Sequence, residues 1–163
     1  METMINIVYD FLQQDEWNPR RMGEQPIFSG RVNADNGNWL YFAQVREEQD
    51  QVIFYSVLQT YVPEDRRSAV AEFMTRVNYN LLMGNFEMDF EDGQVRFRTS
   101  IDVEGGQLTP IMVRNLAYTN VAVMNRYLPA IQEVAFDRVL PGEALARAEA
   151  DTGTPDGDDV GDE

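Results

Sequence analysis

Apolar residues recur every three to four positions at the start of the chain, as Met4, Ile5, Val8, Phe11 and Leu12. That is the spacing of one helical stripe. It predicts a helix over residues 3–15, with Thr3 as its N-cap and Trp17-Asn18-Pro19 as its end. The period then falls to two. Residues 26–34 and 38–47 alternate around Asn36-Gly37, and a second alternating pair is joined by Asp92-Gly93. Such dipeptides favour the two-residue hairpin turn, which needs positive φ at both central positions. Taken as turns, they set a register. Ala34 then faces Trp39, Val32 faces Tyr41, Gly30 faces Ala43 and Phe28 faces Val45. In the second hairpin Phe90 faces Val95, Met88 faces Phe97 and Phe86 faces Thr99, with Asp89 opposite Arg96 and Glu87 opposite Arg98 on the other side. A slip of one residue would put the apolar set in water.

Residues 51–58 read as a third strand, rich in β-branched and aromatic residues. Apolar residues fall on both of its sides, so cover on both faces is expected. The connection Glu47-Glu48-Gln49-Asp50 contains no glycine and leaves its register open. The second face of the first hairpin is mixed, with Ile27, Leu40 and Phe42 among polar groups. A face of that kind is often covered by another element or another subunit. Leu40, Phe42, Val52 and Phe54 are therefore the candidates for a dimer or client surface. The competing reading is burial beneath a helix of the same chain, the usual fate of apolar strand positions.

A second helix opens near Pro63, carries the stripe Val70, Phe73, Met74, Val77 and Leu81, and runs to Gly84. Thr109-Pro110 caps a later helical stretch. Pro129 removes a backbone donor and is expected to kink or break it into two segments. Pro141-Gly142-Glu143 opens a last short helix through Ala144, Leu145 and Ala148. The order is helix, three strands, helix, two strands, two helices. It predicts an α+β fold with an antiparallel five-stranded sheet and helices packed on one face. Residues 1–150 are expected to form one domain. Residues 151–163 are acidic and nearly devoid of apolar side chains, so a disordered tail is expected there.

Composition narrows the chemistry. Among 163 residues there is no cysteine and no histidine, and all 13 cationic side chains are arginine. Thiol nucleophiles, Schiff-base lysines, histidine acid–base catalysis and zinc sites with nitrogen or sulfur ligands all need the missing groups. No catalytic, cofactor-binding or metal-binding residue is assigned, and the chain reads as a non-enzyme. The alternative is a carboxylate-based, metal-dependent hydrolase using Asp89, Glu91 or Asp92. The stretch Asp89-Phe90-Glu91-Asp92-Gly93 faintly resembles the start of a calcium loop, but Ser100 stands where that loop needs its last acidic ligand. No apolar run is long enough to cross a membrane, and cytoplasmic location is the default expectation. The net charge is −15. It opposes direct binding of nucleic acid, whose phosphates would be repelled. It favours solubility and the approach of a basic partner. A third reading makes the acidic tail a DNA mimic that sequesters a basic protein.

Three stretches carry a family resemblance: Asn78-Tyr79-Asn80-Leu81-Leu82-Met83-Gly84-Asn85-Phe86-Glu87-Met88-Asp89, then Gly93-Gln94-Val95-Arg96-Phe97-Arg98-Thr99-Ser100, then Asn125-Arg126-Tyr127-Leu128-Pro129-Ala130-Ile131. In order and spacing they resemble the YbjN family of bacterial sensory transduction regulators. The resemblance covers roughly residues 1–150 and leaves out the acidic tail, which is an addition to the family pattern. It implies a fold similar to type III secretion chaperones: small, acidic, usually dimeric proteins that bind other proteins without catalysis. By this resemblance the chain is expected to act as a chaperone-like or regulatory adaptor. It would work as a homodimer on a basic client protein, one from nucleic-acid metabolism for example. The family has no established catalytic motif, so no functional residue carries over.

Overall fold

The computed structural model describes residues 2–150; the expected tail, 151–163, lies outside the described residues. The first stripe becomes α1, Met4–Gln14, and the Thr3 side chain accepts a hydrogen bond from the Asn6 amide. Six strands follow in the order of the chain: β1 (Arg20–Arg21), β2 (Ile27–Ala34), β3 (Gly37–Arg46), β4 (Gln51–Val57), β5 (Asn85–Met88) and β6 (Val95–Asp102). The helix α2 (Arg67–Asn80) separates β4 from β5, and α3 (Pro110–Phe136) and α4 (Pro141–Ala150) close the described chain. All strand pairs are antiparallel, in the spatial order β1-β2-β3-β4-β6-β5. The sheet has six strands where five were expected. The extra one, β1, is two exposed arginines with no hydrophobic alternation to announce it.

One face of the sheet is roofed by helices. The helix α3 lies on β4 and β6, α2 on β5, and α1 on β3, while α4 packs against α2 and α3. Every second strand residue enters this core: Phe28 and Val32; Trp39, Tyr41, Ala43 and Val45; Val52, Phe54, Ser56 and Leu58; Val95, Phe97 and Thr99. The buried polar groups are tied together. Trp39 Nε1 donates to Ser56 Oγ at 2.8 Å. Asn120 Nδ2, on α3, donates to the carbonyls of Phe54 at 2.9 Å and Phe97 at 3.1 Å, which pins the helix across β4 and β6.

Both hairpins keep the expected faces but shift their register by two residues. Ala34 pairs with Gly37 and Val32 with Trp39, so the turn is Asp35-Asn36 instead of Asn36-Gly37. The cause lies 89 residues away: the Asn36 amide donates to Asn125 Oδ1 at 2.9 Å, which holds the turn against α3. In the second hairpin Met88 pairs with Val95, Glu87 with Arg96 and Phe86 with Phe97. Here the turn is longer. The Gly93 amide donates to the Asp89 carbonyl at 2.7 Å, and the side chains of Asp89 and Asp92 each accept from a backbone amide two residues on. Phe90 is lifted out of the strand and is exposed instead of facing Val95. Gly30 faces Tyr41 instead of Ala43, and the Tyr41 ring fills the space where a side chain at that position would sit.

The helix α3 runs through Pro129 as one element of 27 residues. The expected break is absent because the carbonyl that loses its donor, that of Asn125, accepts from Asn36 Nδ2 at 2.8 Å. At the other end of the sheet α2 stops at Asn80, short of Gly84. Asn78 there turns to the outer edge of β5, accepting from the Phe86 amide at 2.8 Å and donating to the Phe86 carbonyl at 3.0 Å. The side-chain amide thus stands in for part of a neighbouring strand on an edge that would otherwise invite one.

Candidate protein-binding face

Strand parity delivers the complementary residues to the second face of the sheet, and the registers line them up in rows. One row crosses β1 to β5 as Arg20, Ser29, Phe42, Tyr55, Arg98 and Asn85. The next runs Arg31, Leu40, Val57, Arg96 and Glu87. On the other side of the first lies Ile27, Gln44, Ile53 and Ser100. Ile27, Leu40, Phe42, Ile53, Tyr55 and Val57 are half-buried and stand apart from the hydrophobic core. Among the described residues this face has no helix over it, so the cover expected on both sides of β4 is present on only one.

Leu40 and Phe42 therefore sit where the sequence places them, on the open face. Val52 and Phe54 do not. They are 1% and 2% exposed and point into the core beneath α3, so they are corrected to packing residues. Their neighbours Ile53, Tyr55 and Val57 take the surface positions. The parity was hidden because the link from β3 to β4 reverses without glycine. Its work is done by a single turn of 3-10 helix, Glu47–Gln49, and by Asp50 in the left-handed conformation at φ 52°. Aspartate is one of the few side chains that tolerate that conformation, which was the signal available in the sequence.

The charges on this face are organised. Arg96 Nε meets Glu87 Oε1 at 2.6 Å, Arg98 Nη2 meets Glu87 Oε2 at 3.4 Å, and the Arg96 guanidinium lies 4.5 Å from the centre of the Tyr55 ring. Glu87 thereby holds two arginines upright beside the apolar rows. At the far end Arg46 donates to Gln51 at 3.0 Å, and Gln51 donates to Asp102 at 2.9 Å. The Gln51 amide and, secondarily, the Glu104 N–H hold the Asp102 carboxyl below its usual range. Arg20, Arg31, Arg46, Arg96 and Arg98 are five of the 13 arginines, against Glu87 and Asp102 on the same face and Asp89 beside Glu87 and Arg96 at its edge. A chain of net charge −15 has gathered positive charge on its open sheet. Asp89 and Asp92 lie in the hairpin turn, each with an oxygen bound to a backbone amide. No group of three acids able to hold a metal occurs among the described residues.

The profile of the YbjN family, described as "Putative bacterial sensory transduction regulator", matches residues 5–133. The chain belongs to the YbjN family. The structure is similar to the crystal structure of YbjN from E. coli, with a TM-score of 0.57 at 10% identity, covering 88% of this chain and 92% of that one. It is also similar to a chain of the ExsC–ExsE complex, with a TM-score of 0.50 at 13% identity and coverage of 75% and 90%. A chain of the HopA1–SchA chaperone–effector complex follows with a TM-score of 0.48 at 14% identity, covering 76% and 95%. No curated protein matches the chain. The α+β fold of a YbjN protein, similar to that of the type III secretion chaperones, is the fold of this chain. No helix among the described residues is long and apolar enough to cross a membrane.

Proposed function

We propose that this YbjN-family protein is a non-catalytic binding module, a chaperone-like or regulatory adaptor that holds another polypeptide on its open sheet face. The observation that carries the reading is the set of six half-buried apolar side chains, Ile27, Leu40, Phe42, Ile53, Tyr55 and Val57, on a face that no helix covers. Burying each more fully would contribute up to roughly 1.5–3 kcal/mol for a large side chain. The ExsC–ExsE complex among its structural relatives is in keeping with a protein partner.

A homodimer is the second part of the proposal, through a different surface. Tyr79, in the last turn of α2, is 89% exposed, and Leu82, in the link to β5, is 99% exposed, with Met83 next to it in sequence. A second copy would take this patch out of water without opposing the arginines of the sheet. The finer expectation of a basic client, from nucleic-acid metabolism for instance, draws support from the net charge of −15 and from exposed acids on the helical layer such as Asp10, Glu64 and Glu72.

Selection of a displayed random-peptide library on the full-length chain tests the face. Enriched peptides should lose binding to the Phe42→Ser and Val57→Ser variants. A pool that binds both variants as well as the parent would overturn the reading. Light scattering of Leu82→Glu tests the dimer: a lighter particle than the parent is expected, and an unchanged mass rejects this contact.

A further inference from the structure

The arginines of the open face bracket its apolar centre. In one row Arg20 and Arg98 stand at either side of Phe42 and Tyr55, and in the next Arg31 and Arg96 stand at either side of Leu40 and Val57. Arg20, Arg31 and Arg46 are exposed, while Arg96 and Arg98 are propped by Glu87. Neighbouring strands lie about 4.8 Å apart, so Arg20 and Arg98, four strands apart, are separated by roughly 19 Å across the sheet. An extended chain advances about 3.4 Å per residue and turns every second side chain to the same side. Acids at the first and seventh positions of an extended segment are thus about 20 Å apart, with the third and fifth side chains directed at the rings between them.

We infer that the open face takes an extended segment of a separate protein patterned acid–x–apolar–x–apolar–x–acid, its carboxylates on the two flanking arginines and its apolar side chains on Phe42 and Tyr55. This rests on the protein-binding reading above and makes its chemistry specific. It also reverses, for this face, the basic partner that net charge suggests. A second copy of the chain is a poor occupant, because stacking the face on itself opposes arginine to arginine. The chain's own residues 151–163 supply acids but only Val160 as a large apolar side chain, too little to cover both rings.

The probe is the fluorescein-labelled peptide Gly-Glu-Ser-Leu-Thr-Phe-Ser-Glu-Gly, titrated by anisotropy with the full-length chain at low salt. A twin peptide with both Glu replaced by Lys serves as the control. The acidic peptide should bind at least about tenfold more tightly than the lysine twin, and added salt should narrow the gap as screening grows. Arg20→Glu with Arg31→Glu, both at exposed positions, should raise its Kd about tenfold and improve binding of the twin. Equal binding of the two peptides, lost in Phe42→Ser, would leave the docking face standing and overturn its acidic specificity. Failure of both peptides to bind, where displayed peptides still require Phe42, overturns the acid-flanked pattern alone. Replacing Asp156, Asp158 and Asp159 together by Asn should leave the Kd unchanged. A tenfold tightening would show that the chain's own end occupies the face and would end the assignment to a separate partner.

Discussion

Asn36 and Asn125 embrace across 89 residues: the Asn36 amide donates to Asn125 Oδ1 at 2.9 Å, and Asn36 Nδ2 donates to the Asn125 carbonyl at 2.8 Å. The second bond falls on the carbonyl that Pro129 strips of its helical donor. The Asn125 side chain therefore locks the β2–β3 turn, and the Asn36 side chain satisfies the carbonyl that lets α3 continue through a proline. Asn36→Ala keeps the backbone bond and loses the Nδ2 bond to the Asn125 carbonyl, which should cost about 1 kcal/mol. Pro129→Ala restores a donor to the same carbonyl, so the cost of Asn36→Ala should shrink in that background. A double-mutant cycle by urea unfolding reads the coupling. Strict additivity would mean that the two residues act independently.

Parity on β4 predicts a steep contrast between neighbours. Phe54→Ala opens a cavity under α3 and should cost about 3–5 kcal/mol. Ile53→Ser, one residue away on the open face, should cost about 1 kcal/mol or less, as surface changes usually do. Chemical denaturation of the two variants decides the matter. Similar losses would mean that both faces of β4 are core.

Gly93 and Gly105 are both left-handed, at φ 83° and 76°, but their surroundings differ. A Cβ at Gly93 would run into the carbonyl oxygen of Val62, whose amide donates to the Gly93 carbonyl at 2.9 Å, whereas one at Gly105 meets nothing. Gly105→Ala should show only the conformational cost, about 1–2 kcal/mol. Gly93→Ala should exceed it by at least about 1 kcal/mol, since backbone must move as well. Thermal unfolding of both would reveal an equal loss if the Val62 contact were unimportant.

Acid should act on Asp102 through its hydrogen bonds. Its folded pKa is depressed below 3.8, first by the Gln51 amide. The corresponding stability is present above that value and is lost as pH falls through the folded pKa. In Gln51→Leu the carboxyl midpoint, followed by carbon-detected NMR, should move up toward 3.8. An unmoved midpoint would show that Gln51 is not the cause.

Much of the fold was legible locally. The three-to-four spacing of Met4, Val8, Phe11 and Leu12 yields α1, and Thr3 and Thr109 cap their helices as expected, each accepting from an amide three residues on. Half of the candidate surface, Leu40 and Phe42, was legible for the same reason: the alternation of β3 sorts its side chains between faces. Val52 and Phe54 were misplaced because both sides of β4 carry large apolar residues, and alternation then says nothing about which side is roofed.

What the sequence alone determined, then, is the kind and order of every element except β1, and the two faces of each hairpin, because helix period, strand alternation and capping depend only on neighbours along the chain. Tertiary contacts decided the rest. A register shift of two leaves every side chain on its own face, so the apolar pattern cannot see it; the Asn36–Asn125 bonds and the Asp89 turn select it. Likewise the gathering of Arg20, Arg31, Arg46, Arg96 and Arg98 exists only once four separate strands lie side by side.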